Sequence, residues 1–469
     1  MYNINMQEKD NKTLSTITFC SGVGSVTGAN FLFEVPGENG KIWKILIDCG
    51  LEQSTKLADE KNWSPFVYDP KDIDILFVTH AHIDHIGRIP KLYYDGFRGK
   101  IISTDATKDV SLPMLLDTAM ILGDQIEYEL NKIYTSQNIK RIFELWEGYG
   151  YHHGIEIEEG LTVVFRDSGH ILGSAMVEFS RNGKKMLFTG DLGNSPSPLL
   201  RDTEKITDID YLLMESVYGD RNHEDRDQRK ELLKKSLMGN FNRKGALVIP
   251  TFSLERTQEL LFEMNDLVET GEIPEMRIFL DSPLGIHITE VYRKYTHYFN
   301  NRVQEHIRKG DDVFSFPGLR LTLDTEDSKD ILTSPYPKVV LAGSGMSNGG
   351  RVMHHEHNYL PNPNNTILLV GYQSMGTIGR KIQDHTDFIY LFGDKIPVRA
   401  RIEQISGYSG HKDSDNLVDF VRDSHKTLKK VFVSMGEPKS SLFLAQRLNN
   451  ELDVKATAPL ENEKAYIEF

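Results

Sequence analysis

The chain has 469 residues, 39% of them hydrophobic and 26% charged, and a formal net charge of −14. No apolar run reaches the roughly 18–20 residues of a membrane-spanning helix, and two cysteines, Cys20 and Cys49, make no disulfide framework at this length. The acidic balance argues against a generic nucleic-acid binder, although residues 221–400 hold 23 Lys and Arg against 24 Asp and Glu, so nearly all the excess acid lies elsewhere.

A chain this long implies two or three domains. The opening "MYNINMQEKDNK" is polar and lacks an apolar signal core, so a reducing cytoplasm is the expected location. Short β-type runs follow, "STITFC" and "KIWKILIDCG", and then "DIDILFVT", which delivers His80 at its end. "DVSLPMLLDTAMILGDQIEYELNKI" has helical spacing throughout. "LTVVFRDSGH" reads as a strand, and "SAMVEFSRNGKKMLFTGDLG" reads as a hairpin turning at Asn182-Gly183. From about residue 220 strands alternate with helices, as in "GALVIPTFSLERTQELLFEM", "PKVVLAGSGMSNGGRVMHH" and "NTILLVGY", which predicts a separate α/β module with a parallel sheet. "KKVFVSMGEPKSSLFLAQRL" is again strand, loop and helix. The expected organisation is one module split in sequence, 1–219 and 401–469, with a second, 220–400, inserted in it.

"FVTHAHIDHIGRIP" packs His80, His82, Asp84 and His85 into six residues. Burying such groups without partners is costly, so the cluster points to a metal. His80 and His82, two apart on extended chain, project to one side, and Asp84 and His85 follow on a turn. Imidazole and carboxylate together suit zinc, with manganese and iron as rivals. Four ligands this close fit two adjacent ions better than one. His170 in "DSGHILGSA" and Asp191 in "FTGDLG" stand in glycine-flanked turns after strands and would complete the set, with Asp48 in "LIDCG" orienting a ligand from behind.

Together "THAHIDH", "GHILGSA" and "FTGDLG" resemble the metallo-β-lactamase superfamily, a four-layer αββα sandwich with a dinuclear site on one edge. "LLMESVYGDRNH" with Glu215, "ISGYSGHKDSDNL" with His411, and "VSMGEPKSSLFLAQRL" are similar to the β-CASP nucleases, the branch of RNase J and the pre-mRNA 3′-end endonuclease, over about 21–448. "PTFSLERTQELL", "GSGMSNGGRVMHHEHNYL" and "GYQSMGTIGRKI" look like that branch's inserted α/β cap. The resemblance implies one zinc ion on His80, His82 and His170, and a second on Asp84 and His85 with Asp191 bridging. It also implies attack on phosphorus by a metal-activated hydroxide, with His411 protonating the leaving oxygen and Glu215 orienting it. RNA, in a groove under the cap, is the implied substrate, and a homodimer is implied by relatives that associate. One position departs: RNA-cleaving members commonly carry His where this chain has Met435. A thioether is a poor zinc ligand beside imidazole, so the second ion is expected to be weakly held, or another group or water to fill the gap, and DNA stays open as a substrate; manganese is the alternative to zinc. Two further readings are a small-ester or thioester hydrolase, which has no need of a cap, and an inactive RNA-binding scaffold, which would have lost more ligands.

Weaker signals carry less. His354, His355 and His357 on a helix read as structural and polar rather than metal-binding. Arg256, Arg351, Arg380 and Lys381 near helix starts could grip phosphates but each alone reads as a surface charge. "GSGMSNGG" lacks the Lys-Ser/Thr of a nucleotide P-loop.

Overall fold

The computed structural model describes residues 14–53, 56–223 and 228–469; the polar opening stretch read above lies outside them. The chain divides into two compact units. One comprises Met1–Ser197, Asp202–Asn222 and Gly410–Phe469, the other Pro198–Arg201 and His223–Ser409.

The first unit is two seven-stranded sheets packed face to face. Sheet I runs in the order Lys464–Ile467, Ser15–Ser21, Asn30–Pro36, Ile42–Ile47, Ile75–Phe77, Lys100–Thr104, Trp146–Tyr149. Sheet II runs Ala456–Thr457, Lys430–Val433, Tyr211–Met214, Lys184–Phe188, Ala175–Arg181, Leu161–Asp167, Ile155–Glu158. Alternation along the strands builds the layer between them. Val163 and Phe165 point inward from sheet II and meet Phe33, Ile45 and Phe77 of sheet I. The other face of sheet II carries Leu187, Leu212 and Val431, which pack on Leu417 and Val421 of helix Ser414–Arg422 and on Leu444 and Leu448 of helix Pro438–Leu452. Helix Asp105–Leu122 packs on the strands of sheet I, so the layers run helix, sheet, sheet, helix.

The Asn182-Gly183 turn forms as expected, both residues at positive φ between antiparallel strands. The helix expected over 109–133 does not run through. Helix Asp105–Leu122 stops at Gly123, and the chain then turns through Tyr128 and Glu129, both at positive φ, before the short helix Leu130–Ile133. A Cβ at Gly123 would sit 2.4 Å from the Ala119 carbonyl oxygen, so the spot admits only glycine.

The second unit is built on a six-stranded, wholly parallel sheet, in the order Leu319–Leu321, Arg277–Leu280, Lys338–Ala342, Ala246–Pro250, Thr366–Leu369, Arg401–Gln404. Its central strands are buried along their whole length and apolar but for Lys338, as a sheet covered on both faces requires. Beside it stands a two-stranded hairpin, Phe388–Leu391 and Asp394–Pro397.

Candidate metal centre

The site side chains of the first unit hang from strand ends. Ile75–Phe77 in sheet I leads to His80, and Ile42–Ile47 leads to Asp48. In sheet II, Leu161–Asp167 leads to His170, Lys184–Phe188 to Asp191 and Tyr211–Met214 to Glu215. His82 caps the short helix Ile83–Ile86, which carries Asp84 and His85 on its single turn. His411 stands just ahead of helix Ser414–Arg422 and bridges to Gly193. Backbone crowding fixes these turns. A Cβ on Gly193 would lie 1.8 Å from the Gly169 carbonyl oxygen, and one on Gly50 would lie 1.5 Å from that of Asp84.

Three of the imidazoles, His80, His85 and His170, are held by Nδ1, which leaves Nε2 to point inward. His85 Nδ1 donates to Asp48 Oδ2 at 2.7 Å, and His170 Nδ1 donates to the Gly410 carbonyl at 3.0 Å. His80 Nδ1 lies 3.0 Å from the Thr79 hydroxyl, which itself donates to Asp48 at 2.7 Å. Asp48 also receives the Thr79 backbone N–H at 2.8 Å, so one buried carboxylate fixes the whole loop. Such outer partners set the tautomer a ligand must have.

The free nitrogens converge. His82 Nδ1 lies 3.2 Å from both His80 Nε2 and His170 Nε2. Asp191 Oδ2 lies 3.4 Å from His80 Nε2 and 3.5 Å from His170 Nε2. Bonds of ~2.0–2.1 Å about a tetrahedral ion give edges of about 3.3 Å, the spacing seen here. Lone pairs aimed at one another at this range repel unless a cation lies among them. Beside this group, His85 Nε2 faces Asp191 Oδ1 at 3.4 Å and Asp84 Oδ2 at 3.9 Å. His85 Nε2 and Asp191 Oδ1 are buried without a hydrogen-bond partner, an arrangement that natural interiors avoid unless a ligand is bound. The residues therefore fit a metal centre with four donors on one side and His85, Asp84 and the second oxygen of Asp191 on the other.

The electrostatics agree. Burial, and then the neighbouring imidazoles, hold His82 and His170 well below the usual histidine range, so they stay neutral donors. Burial raises the Asp84 carboxyl. For Asp191 burial is outweighed by His85 and His80, which hold its carboxyl well below the usual range. Burial disfavours a charged His85, but the carboxylates of Asp191 and Asp48 outweigh it and push the imidazole up.

Glu215 and His411 form a second group with Asp191. Glu215 is buried, and its Oε1 accepts the Leu192 N–H at 2.7 Å and lies 3.2 Å from His411 Nδ1. Burial pushes His411 down, but Glu215, Asp191 and Asp84 outweigh it and raise it to about 9. Its ring keeps some exposure, as a proton donor to a substrate needs.

Met435 takes no part in this cluster. It is buried among the apolar side chains between the two sheets, its sulfur against Gly22. Thr79, which the sequence reading passed over, ties Asp48 to His80; its signal was its place at the end of a strand one residue before a ligand-type histidine. In the second unit Arg351 is spent on Asp281 and on the Thr322 and Leu323 carbonyls, Arg256 on Glu259, and Arg380 on Asp384. His355 Nε2 donates to Asp281 at 2.7 Å, and His354 stacks on Phe392.

Comparison with known proteins agrees with this architecture. The metallo-beta-lactamase superfamily matches residues 44–251, the Beta-Casp domain 257–382, and the Zn-dependent metallo-hydrolase RNA specificity domain 395–459. The chain is 33% identical to a ribonuclease of Thermus thermophilus over 429 residues, 90% of this chain and 93% of that one. It is 30% identical to an RNase J-like protein of Methanocaldococcus jannaschii, covering 91% and 94%. It is 29% identical to a transcription termination factor of Methanosarcina mazei, covering 94% of this chain and 70% of the relative. A crystal structure of a protein of unknown function from Enterococcus faecalis shares the fold at a TM-score of 0.57 and 12% identity, covering 97% of this chain and all of that one. The chain belongs to the metallo-β-lactamase superfamily, in its β-CASP family.

Proposed function

We propose that this chain is a metal-dependent hydrolase that cleaves phosphodiester bonds in RNA. The observation that carries the reading is the convergence of three imidazole nitrogens and one carboxylate oxygen at 3.2–3.5 Å, beside the Glu215–His411 pair. His80, His82 and His170 would hold one ion, Asp84 and His85 a second, and Asp191 would face both. Zinc suits the imidazole-rich set, and when bound it would lower the pKa of water and offset charge on the phosphate oxygens.

The chain's own residues do the rest. Asp48 and Thr79 keep His85 and His80 in the tautomers that leave Nε2 inward. His411, held protonated by Glu215, gives its proton to the departing ribose oxygen; Glu215, fixed by the Leu192 and Val217 N–H groups, keeps the ring aimed. The naming of relatives as ribonucleases and the RNA specificity domain match support RNA over DNA as the substrate. The test is cleavage of matched end-labelled single-stranded RNA and DNA with zinc or manganese supplied, beside an Asp84→Ala, His85→Ala chain. RNA cut by the wild type and spared by the variant supports the reading. DNA cut in preference, or neither cut at any metal level, overturns it.

A further inference from the structure

The hairpin of the second unit has an unusual outer face. Its pairing sets Tyr390 opposite Lys395 and Ile389 opposite Ile396, so the two faces differ by alternation. Ile389, Leu391 and Ile396 turn into the core of that unit. Phe388, Tyr390 and Phe392 turn outward, 38%, 63% and 57% exposed. Solvent faces of antiparallel pairs are ordinarily polar, and three large rings at alternate positions form an exposed patch that calls for a ligand.

The rings are arranged as a row. Phe388 and Tyr390 meet edge to face with centroids 5.6 Å apart, and the Lys395 ammonium sits 3.8 Å above the Phe388 ring. His354, from helix Val352–Tyr359, stacks on Phe392 at 4.5 Å and 21°, which lengthens the row by one more flat ring. Along the sequence, residues 378–401 carry five Lys and Arg against three Asp, with Arg380 and Asp384 spent on each other.

We propose that this face is a stacking platform for single-stranded RNA, with bases laid on Tyr390, Phe392 and the neighbouring rings and the phosphates drawn by Lys395 and nearby cations. The inference rests on the RNA reading above and adds a binding surface carried by the second unit, whereas the metal-centre residues belong to the first. Aromatic faces joined to positive charge are what a single strand requires, because every base offers a π-face and every linkage a charge.

The experiment uses the full, metal-loaded chain. KM is measured for an oligoribonucleotide of about 20 nucleotides, and 5-bromouridine RNA is photo-cross-linked to the protein and the attached peptide mapped. The expected result is a KM raised roughly tenfold or more for each ring removed in Tyr390→Ala and Phe392→Ala. Tyr390→Phe, which keeps a ring, should hold the wild-type KM, and cross-links should fall within 388–395. Because these side chains are exposed, the melting temperature should not move. An unchanged KM in the alanine variants, while the wild type cleaves RNA, overturns the platform and leaves the function standing. A change in oligomeric mass with no change in KM overturns it in favour of a second copy. A wild type that neither cleaves nor cross-links RNA overturns the functional reading and the platform together.

Discussion

At the scale of single residues the centre is governed by what stands behind the donors. Asp48 accepts the Thr79 N–H, the Thr79 hydroxyl and His85 Nδ1–H, and an asparagine could not accept all three while remaining a pure acceptor. Asp48→Asn should therefore weaken metal binding by about 10–100-fold, as read by competition with a chromophoric chelator, without unfolding the chain. Met435 poses the opposite case. It sits at φ 47, a left-handed conformation that histidine tolerates better than most side chains. Because the side chain lies in the apolar layer between the sheets and apart from the donors, we expect Met435→His to leave a calorimetric metal titration unchanged and to lower the melting temperature through a buried imidazole. A raised bound-metal stoichiometry in the variant would dispose of that expectation.

At the scale of elements, helix Val352–Tyr359 carries a second buried network. Asp281 accepts from Arg351, Ser328 and Thr322 and pairs with His355. Burial works against its charge, but these partners outweigh it and hold its carboxyl down at about 2. On the same helix, Glu356 receives the Ser347 hydroxyl and leaves its other oxygen buried without a partner. Burial pushes this carboxyl up to about 8. The folded chain thus keeps a proton that the unfolded chain, with an ordinary glutamate near ~4.3, has released. The sign follows: this contribution is whole below about pH 4 and is lost as pH rises toward about 8. Inside that window it costs the wild type on the order of 1.4 kcal/mol per pH unit. Glu356→Gln should flatten that slope, as measured by urea unfolding at several pH values.

How much of this could be read in the sequence depends on contrast. His80, His82, His170 and Asp191 stood out because each polar group follows an apolar strand, where a core residue would be expected. Helix Asp105–Leu122 was overextended because Gly123 looks tolerable inside a helical pattern, and the turn is made by Tyr128 and Glu129 at positive φ, residue types that give no turn signal. The hairpin at "FIYLF" was not seen at all. Every residue in that run is apolar, so the alternation that separates its two faces leaves no period-two signal. The partner of Arg351 was equally invisible, since Asp281 lies 70 positions away and only the fold brings it near, whereas the Arg256–Glu259 pair follows from helical spacing.

At the scale of the molecule, each unit carries its own apolar core. Calorimetry should accordingly show two unfolding transitions, and removing metal with a chelator should lower the one belonging to the two-sheet unit, because a ligand stabilises only the unit that binds it. A single transition that shifts as a whole would show that the units unfold as one. No helix among the described residues is long and apolar enough to cross a membrane.

Strand Lys464–Ile467 pairs with Ser15–Ser21, and strand Lys430–Val433 with Tyr211–Met214. Synthesis proceeds from the N-terminus at roughly 5–20 residues per second, so the first strand of sheet I waits tens of seconds for its edge partner. The inserted unit, contiguous from His223 to Ser409 apart from four residues, can close earlier. Until synthesis passes residue 411 the nascent chain holds His80, His82, His170 and Asp191 without His411, without the carbonyl of Gly410 that orients His170, and without the helices that cover sheet II. A hydrolase assembled this way has no complete centre until the segment after the inserted unit has been made. A chain that stops short of about residue 410 never acquires one.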